Sequence, residues 1–275
     1  MTSMRVDPSK LFSRGLILTF LLVLTATLGS RVPSTFETGA AQLTSGSLRR
    51  LGLQIQSRVI LDSLPFPSFE ELRRIGVSDI GTNVGSDFTS NWWRTLMEWN
   101  EKAHKYGFRT YAHINDLDQV EALAATAVGN GFDTVELDEM ISNRGMTEEQ
   151  FVKIVSAARR VKAETEFIIT EWNRNAIERA FQWAARVPGV RVASSDYDDP
   201  TTLDYVRMLQ QTHGVKAIAW LIFIPDPEHD WNCSKEIREW GGRAKVLGLD
   251  LFFWSINADE TWMMRWEIVR SLLAA

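Results

Sequence analysis

The chain has a single cysteine, Cys233, so no disulfide can close within it and no thiolate cage can hold a metal. It has four histidines, His104, His113, His213 and His229, and none share His-x-His or His-Glu-x-x-His spacing, which argues against a zinc hydrolase. Basic charge is not in excess: 30 Lys and Arg face 35 Asp and Glu, giving a net charge of −5. The basic residues are scattered among acids, so there is no nucleic-acid footprint. Gly-x-Gly-x-x-Gly, Gly-x-x-x-x-Gly-Lys-Ser/Thr and Gly-x-Ser-x-Gly are all missing, and no candidate strand ends in Lys. Dinucleotide, P-loop, nucleophile-elbow and Schiff-base chemistry therefore have no residues to rest on. No cofactor, no resident metal and no nucleic-acid partner are expected.

The N-terminus carries Arg5, Lys10 and Arg14, then an apolar run from Leu16 to Leu28, then Gly29, Ser30 and Arg31. A positive flank, a short apolar centre and small residues make a secretory-signal pattern. The run is shorter than the roughly 20 residues of a usual spanning helix, and a retained anchor is the alternative. Val32 to Ser47 is rich in Ser, Thr, Gly and Ala and reads as a linker. The expected organisation is a signal peptide or membrane anchor over 1–30, a linker over 31–50 and one domain over 51–275. The protein is expected to be secreted or membrane-anchored, extracytoplasmic, and to meet a membrane only through its N-terminal segment.

Beyond the linker, short apolar or β-branched runs alternate with amphipathic stretches, as in βα units built on a parallel sheet. The expected strands are 56–61, 79–83, 109–115, 134–138, 167–171, 191–195, 217–223 and 251–256. The clearest helices are expected at 92–106, 148–162, 175–186 and 261–273. Gly107, Gly131, Gly214 and Gly248 stand where helices should end. Thr147 with Gln150 makes a capping box. Eight such units fill the chain, which favours an α/β fold of the closed (β/α)8 TIM-barrel type over an open doubly wound sheet.

Barrel enzymes place their chemistry at the C-terminal ends of strands. There the sequence delivers Asn83, then His113 and Asn115, then Glu136, Asp138 and Glu139, then Glu171 and Trp172, then Asp196 and Tyr197, then Trp220 and Trp254. Many acids at such places simply cap helices. Asp138, Glu139 and Glu171 directly follow apolar strand residues, where an acid is costly unless it is paired or working. Glycoside hydrolysis uses a carboxyl pair. Asp138 or Glu139 is one expected member, with Glu171 as partner and Asp196 in reserve. Which of them is the acid stays open at this level. Asn83, His113, Asn115, Glu136 and Tyr197 are candidate contacts to sugar hydroxyls. The high tryptophan count of 11 suggests packing or sugar stacking, with Trp172, Trp220 and Trp254 the candidates at strand exits.

The run Gly131-Phe132-Asp133-Thr134-Val135-Glu136-Leu137-Asp138-Glu139 resembles the fourth strand of barrel glycoside hydrolases. Chitinase-type barrels have Gly-Phe-Asp-Gly-x-Asp-x-Asp-x-Glu there, and this chain departs at the last position, where Met140 stands. The run is more similar to polygalactosaminidase-type and spherulin-like barrels, whose fourth strand ends in an acid pair. That resemblance implies an acid at Asp138 or Glu139 with a partner on another strand, and a carbohydrate substrate. Two other readings stand beside a glycoside hydrolase: a non-catalytic carbohydrate-binding barrel, and a metal-assisted lyase or aldolase using Glu136, Asp138 and Glu171 as ligands.

Overall fold

The computed structural model describes residues 50–64, 66–195, 201–222 and 233–256. Eight parallel strands close into a barrel in chain order. They are β1 (Leu51–Ile55), β2 (Asp79–Asn83), β3 (Arg109–Ile114), β4 (Thr134–Asp138), β5 (Glu166–Glu171), β6 (Val190–Ser194), β7 (Ala217–Ile222) and β8 (Asp250–Ile256). Helices α1 (Ser57–Leu61) and α2 (Phe69–Arg74) join β1 to β2. Then α3 (Ser90–Lys105), α4 (Val120–Gly129), α5 (Glu148–Val161), α6 (Arg174–Ala184), α7 (Thr202–His213) and α8 (Cys233–Leu247) follow β2 to β7 in turn. This is a TIM barrel. The N-terminal segment, the linker up to residue 49 and the helix expected at 261–273 lie outside the described residues.

Local chemistry accounts for the helix boundaries. Thr147 and Gln150 form the reciprocal capping box at the start of α5. Asn173 accepts the Ala176 amide at the start of α6. Gly107, Gly131, Gly214 and Gly248 all have positive φ, as helix-ending residues do. Seven of the eight expected strands agree with the observed ones to within one residue at either end.

The first strand is a correction. It runs over Leu51–Ile55, and most of the stretch expected to be β1 is the short helix α1. Gly52 makes Leu51-Gly52-Leu53-Gln54-Ile55 look like a weak strand. That glycine is required by packing instead, since a Cβ there would overlap the Phe252 ring. Gly81 on β2 likewise leaves space for the Tyr111 ring.

Those two glycines make room for an aromatic plug inside the barrel. Tyr111, Trp220 and Phe252 meet with ring centroids 5.4–5.9 Å apart. Ile168, Ala193 and Ile218 complete this layer. A larger apolar core fills the space between strands and helices.

Below the plug, at the strand starts, lies a charged layer. Arg50 reaches Asp79 and Glu166, the latter at 3.1 Å. Arg109 meets Glu166 at 3.1 Å. Arg191 is buried and lies 3.4 Å from Glu166 and 3.7 Å from Asp250, with its charge over the Phe252 ring. A cleft of about 390 Å³ opens beside Arg50, Arg191 and Lys216 on this face, opposite the strand exits. Removing one partner of such a buried set strands the others. Arg191→Leu is expected to cost about 3 kcal/mol of stability in denaturant melts.

Candidate active site

Side chains on a strand alternate between its two faces. On β4 that alternation turns Glu136 and Asp138 toward the barrel axis, and the register sets His113 of β3 beside Glu136 and Thr170 of β5 beside Asp138. The three strands thus build one buried polar chain. Thr170 Oγ1 donates to Glu136 Oε1 at 2.8 Å. His113 Nδ1 meets Glu136 Oε2 at 2.9 Å. His113 Nε2 faces Asp138 Oδ2 at 3.5 Å. Glu136 is wholly buried and His113 nearly so, whereas Asp138 keeps 23% side-chain exposure at the mouth.

Charge crowding perturbs these groups. Burial pushes the His113 imidazolium down, but Glu136, Asp138 and Glu139 outweigh it and raise its pKa to about 9. Burial raises the Asp138 carboxyl; His113 opposes this, Glu136, Glu139 and Glu171 add to it, and the result is about 7. Burial also lifts Glu139 above its ordinary range. His113, Glu136 and Asp138 each offer a ligand atom within 4.8 Å of the others. In this arrangement, however, the imidazole lies between the two carboxylates and pairs with both.

Just past β4 the chain turns sharply. Glu139 has φ of 51°, a left-handed conformation that a residue with a Cβ adopts at a cost. Its amide still donates to the Thr170 carbonyl at 2.8 Å, so the turn begins at the end of the ladder. Asn143 donates its side-chain amide to Glu139, and Trp172 Nε1 donates to Asn143 Oδ1 at 3.1 Å. The indole of Trp172 is 45% exposed, so this chain sets an open aromatic face beside the carboxylates.

Glu171 is differently placed. Thr170 points inward, so Glu171 points away from the axis, and it is fully buried. Its two oxygens accept the amides of Ile141 at 2.7 Å and Ser142 at 3.0 Å. Burial raises its pKa, against these hydrogen bonds. Asn83 is half-buried and accepts from Gln54 Nε2 at 2.7 Å. Asn115 is exposed beyond β3. Trp220 is buried in the plug, and Trp254 is half-buried against it. Met140, where chitinase-type barrels carry their Glu, is fully buried in the core. Asp196 and Tyr197 lie outside the described residues.

Three contributors were not singled out from sequence: Gln54, Thr170 and Asn143. Gln54 sits in the strand that was misplaced. Thr170 carried a usable signal, because it stands one residue before Glu171 and so takes the opposite face. Asn143 is legible only through the turn.

No family model matches the chain, and no curated protein matches it. Solved structures do. One is Cel5A of Thermotoga maritima, whose structures include complexes with cellobiose; it is 10% identical, with a TM-score of 0.59 over 84% of this chain and 99% of that one. The cellulose synthase subunit Z of Clostridioides difficile is 10% identical, with a TM-score of 0.55 over 82% and 99%. A phospho-2-dehydro-3-deoxyheptonate aldolase of Thermotoga maritima is also 10% identical, with a TM-score of 0.53 over 81% and 67%. At such identity the likeness is one of fold.

Both raised groups hold their protons more tightly in the folded chain than in the unfolded one. Each therefore contributes stability at low pH that is lost as pH rises, Asp138 from the ordinary carboxylate range to about 7 and His113 from about 6.5 to about 9. Thermal melts of the wild type and of His113→Asn across pH 6 to 10 check this. The wild type should lose its advantage as pH climbs, and the gap between the two proteins should narrow.

Proposed function

We propose that this protein is a glycoside hydrolase acting on an oligo- or polysaccharide. Asp138 is the proton-donating carboxyl and Glu139 the second carboxylate. The observation that carries the reading is the exit of β4. Two successive carboxyls stand at the barrel mouth, one held in a strained turn and wired through Asn143 to an exposed indole. A glycosidase needs one carboxyl that still holds a proton near neutral pH and a second that attacks the sugar or activates water. Burial prepares Asp138 for the first task. The Trp172 face suits the apolar side of a sugar ring. Trp220 is spent on packing, so the stacking role falls to Trp172.

In this reading Glu171 holds the turn that carries both carboxyls, through its bonds to Ile141 and Ser142. Asp196, beyond β6, is the alternative partner to Asp138. The fold likeness to carbohydrate-acting barrels agrees with the proposal, and the N-terminal segment exports or tethers the enzyme.

A glycan-cleavage screen on the purified protein tests it. Release of reducing ends should fall about 100-fold or more in Asp138→Asn and in Glu139→Gln. Added azide should restore turnover to Glu139→Ala if Glu139 is a nucleophile, and Asp196→Ala should keep activity. For the wild type, kcat/KM should decline above about pH 7, as Asp138 loses its proton. Full activity in Asp138→Asn would sink the assignment. Glycan binding without turnover would select the non-catalytic barrel.

A second reading rests on the proximity of His113, Glu136 and Asp138. Activity lost to a chelator and restored by Mg²⁺ would select a metal-assisted lyase or aldolase. A glycosidase working through carboxyls alone keeps its rate in chelator.

Glu171→Gln separates support from chemistry. The neutral amide keeps one acceptor oxygen and sets an NH2 against the other backbone N–H, so about 1–3 kcal/mol of stability should go. Activity should fall less than in Asp138→Asn.

A further inference from the structure

Glu136 carries a role that its place among strand-exit acids does not reveal. Its side chain is wholly buried, and both carboxylate oxygens are engaged, one by Thr170 Oγ1 and one by His113 Nδ1. A sugar hydroxyl at the mouth finds no free oxygen on it. With Nδ1 committed to Glu136, the other ring nitrogen of His113 is fixed toward Asp138, 3.5 Å away. We infer that Glu136 is a positioning residue: braced by Thr170, it holds the imidazole of His113 in one orientation against Asp138, and acts on the substrate only through that ring. This rests on the reading of Asp138 as the proton donor.

The surroundings make the ring consequential. Asp138 and Glu139 crowd His113 from β4 and its exit, and Glu171 adds its charge to Asp138 from β5. Tyr111, two residues below His113 on β3, is neutral and buried. Among the described residues no Lys or Arg forms an ion pair with any of these acids. The imidazole is thus the basic group that faces these carboxyls among the described residues, and Glu136 holds it there through the 2.9 Å contact at Nδ1. Without Glu136 the ring would titrate lower and be free to turn. Asp138 would then meet a neutral neighbour at the pH where it must give up its proton.

The experiment is an NMR pH titration of the histidine side chains in the full-length protein, with the His113 signal identified by its loss in His113→Gln. In the wild type His113 should titrate near 9. In Glu136→Gln its midpoint should drop by about one pH unit or more. Thr170→Val should move it the same way by less, and Thr170→Ser should restore it. These variants leave the fold testable even if Glu136→Gln is unstable. On a cleaved glycan, Glu136→Gln should lower kcat about 10-fold or more, with KM changed less than about twofold and the pH profile displaced.

An unchanged His113 midpoint in Glu136→Gln and Thr170→Val would overturn the inference. So would a raised KM with an unmoved pH profile, the mark of direct sugar contact. The titration needs no substrate, so the two proposals fail separately. A shifted midpoint in a protein that cleaves no glycan supports the pairing and removes the glycosidase reading. An unmoved midpoint in a protein that does cleave removes the pairing alone.

Discussion

A closed ring of parallel strands leaves each strand residue only two choices, the axis or the helices, and the register between strands settles which. That constraint organises the site. It sends Glu136 and Asp138 inward from β4, sets Thr170 beside them from β5 and leaves Glu171 facing the turn beyond β4. A one-residue slip of β5 would exchange the last two roles. A buried carboxyl that braces a loop and one that faces the mouth are neighbours on paper with no freedom to trade places.

The second organising fact is how charge is distributed along the barrel axis. The layer at the strand starts matches acids with guanidinium groups, and three arginines share it with Asp79, Glu166 and Asp250. Among the described residues, the layer at the strand exits has no Lys or Arg ion pair, and several carboxyls gather around one imidazole. Burying unmatched charge is expensive, and proteins tolerate that expense mostly where proton affinity has to differ from its value in water. The contrast between the two layers agrees with the proposed site at the exits, independently of any likeness to other barrels.

Much of this could be read from the residues. The βα alternation, the helix-ending glycines and the capping box at Thr147 carry local physics that survives folding, and seven strands follow from them. The first strand escaped because Gly52 breaks its propensity, and the reason for that glycine, the ring of Phe252, comes from the last strand of the barrel. For the site, an acid after an apolar strand flagged Asp138, Glu139 and Glu171 alike. Parity could have separated Glu171 from the others. The left-handed φ of Glu139 and its link to Trp172 through Asn143 could not be read, because they depend on a turn with no sequence signature. His113 was legible as a strand-exit candidate for a sugar hydroxyl, but its pairing with Glu136 and Asp138 was not, since that depends on the register between β3 and β4.

The aromatic plug has a consequence for how such a protein can change. Tyr111, Trp220 and Phe252 pack as one cluster between the two layers, and among the described residues no ion pair joins a side chain of one layer to one of the other. Residues with no shared partners make nearly additive contributions. Substitutions at the exits and at the far end are therefore expected to add nearly independently, and the far end goes on closing the ring whatever is changed at the mouth. The Tyr111 hydroxyl, pushed up first by its burial, also feels Glu136 above and Asp79 and Arg191 below. Through that buried phenol, a change of charge in one layer is felt in the other.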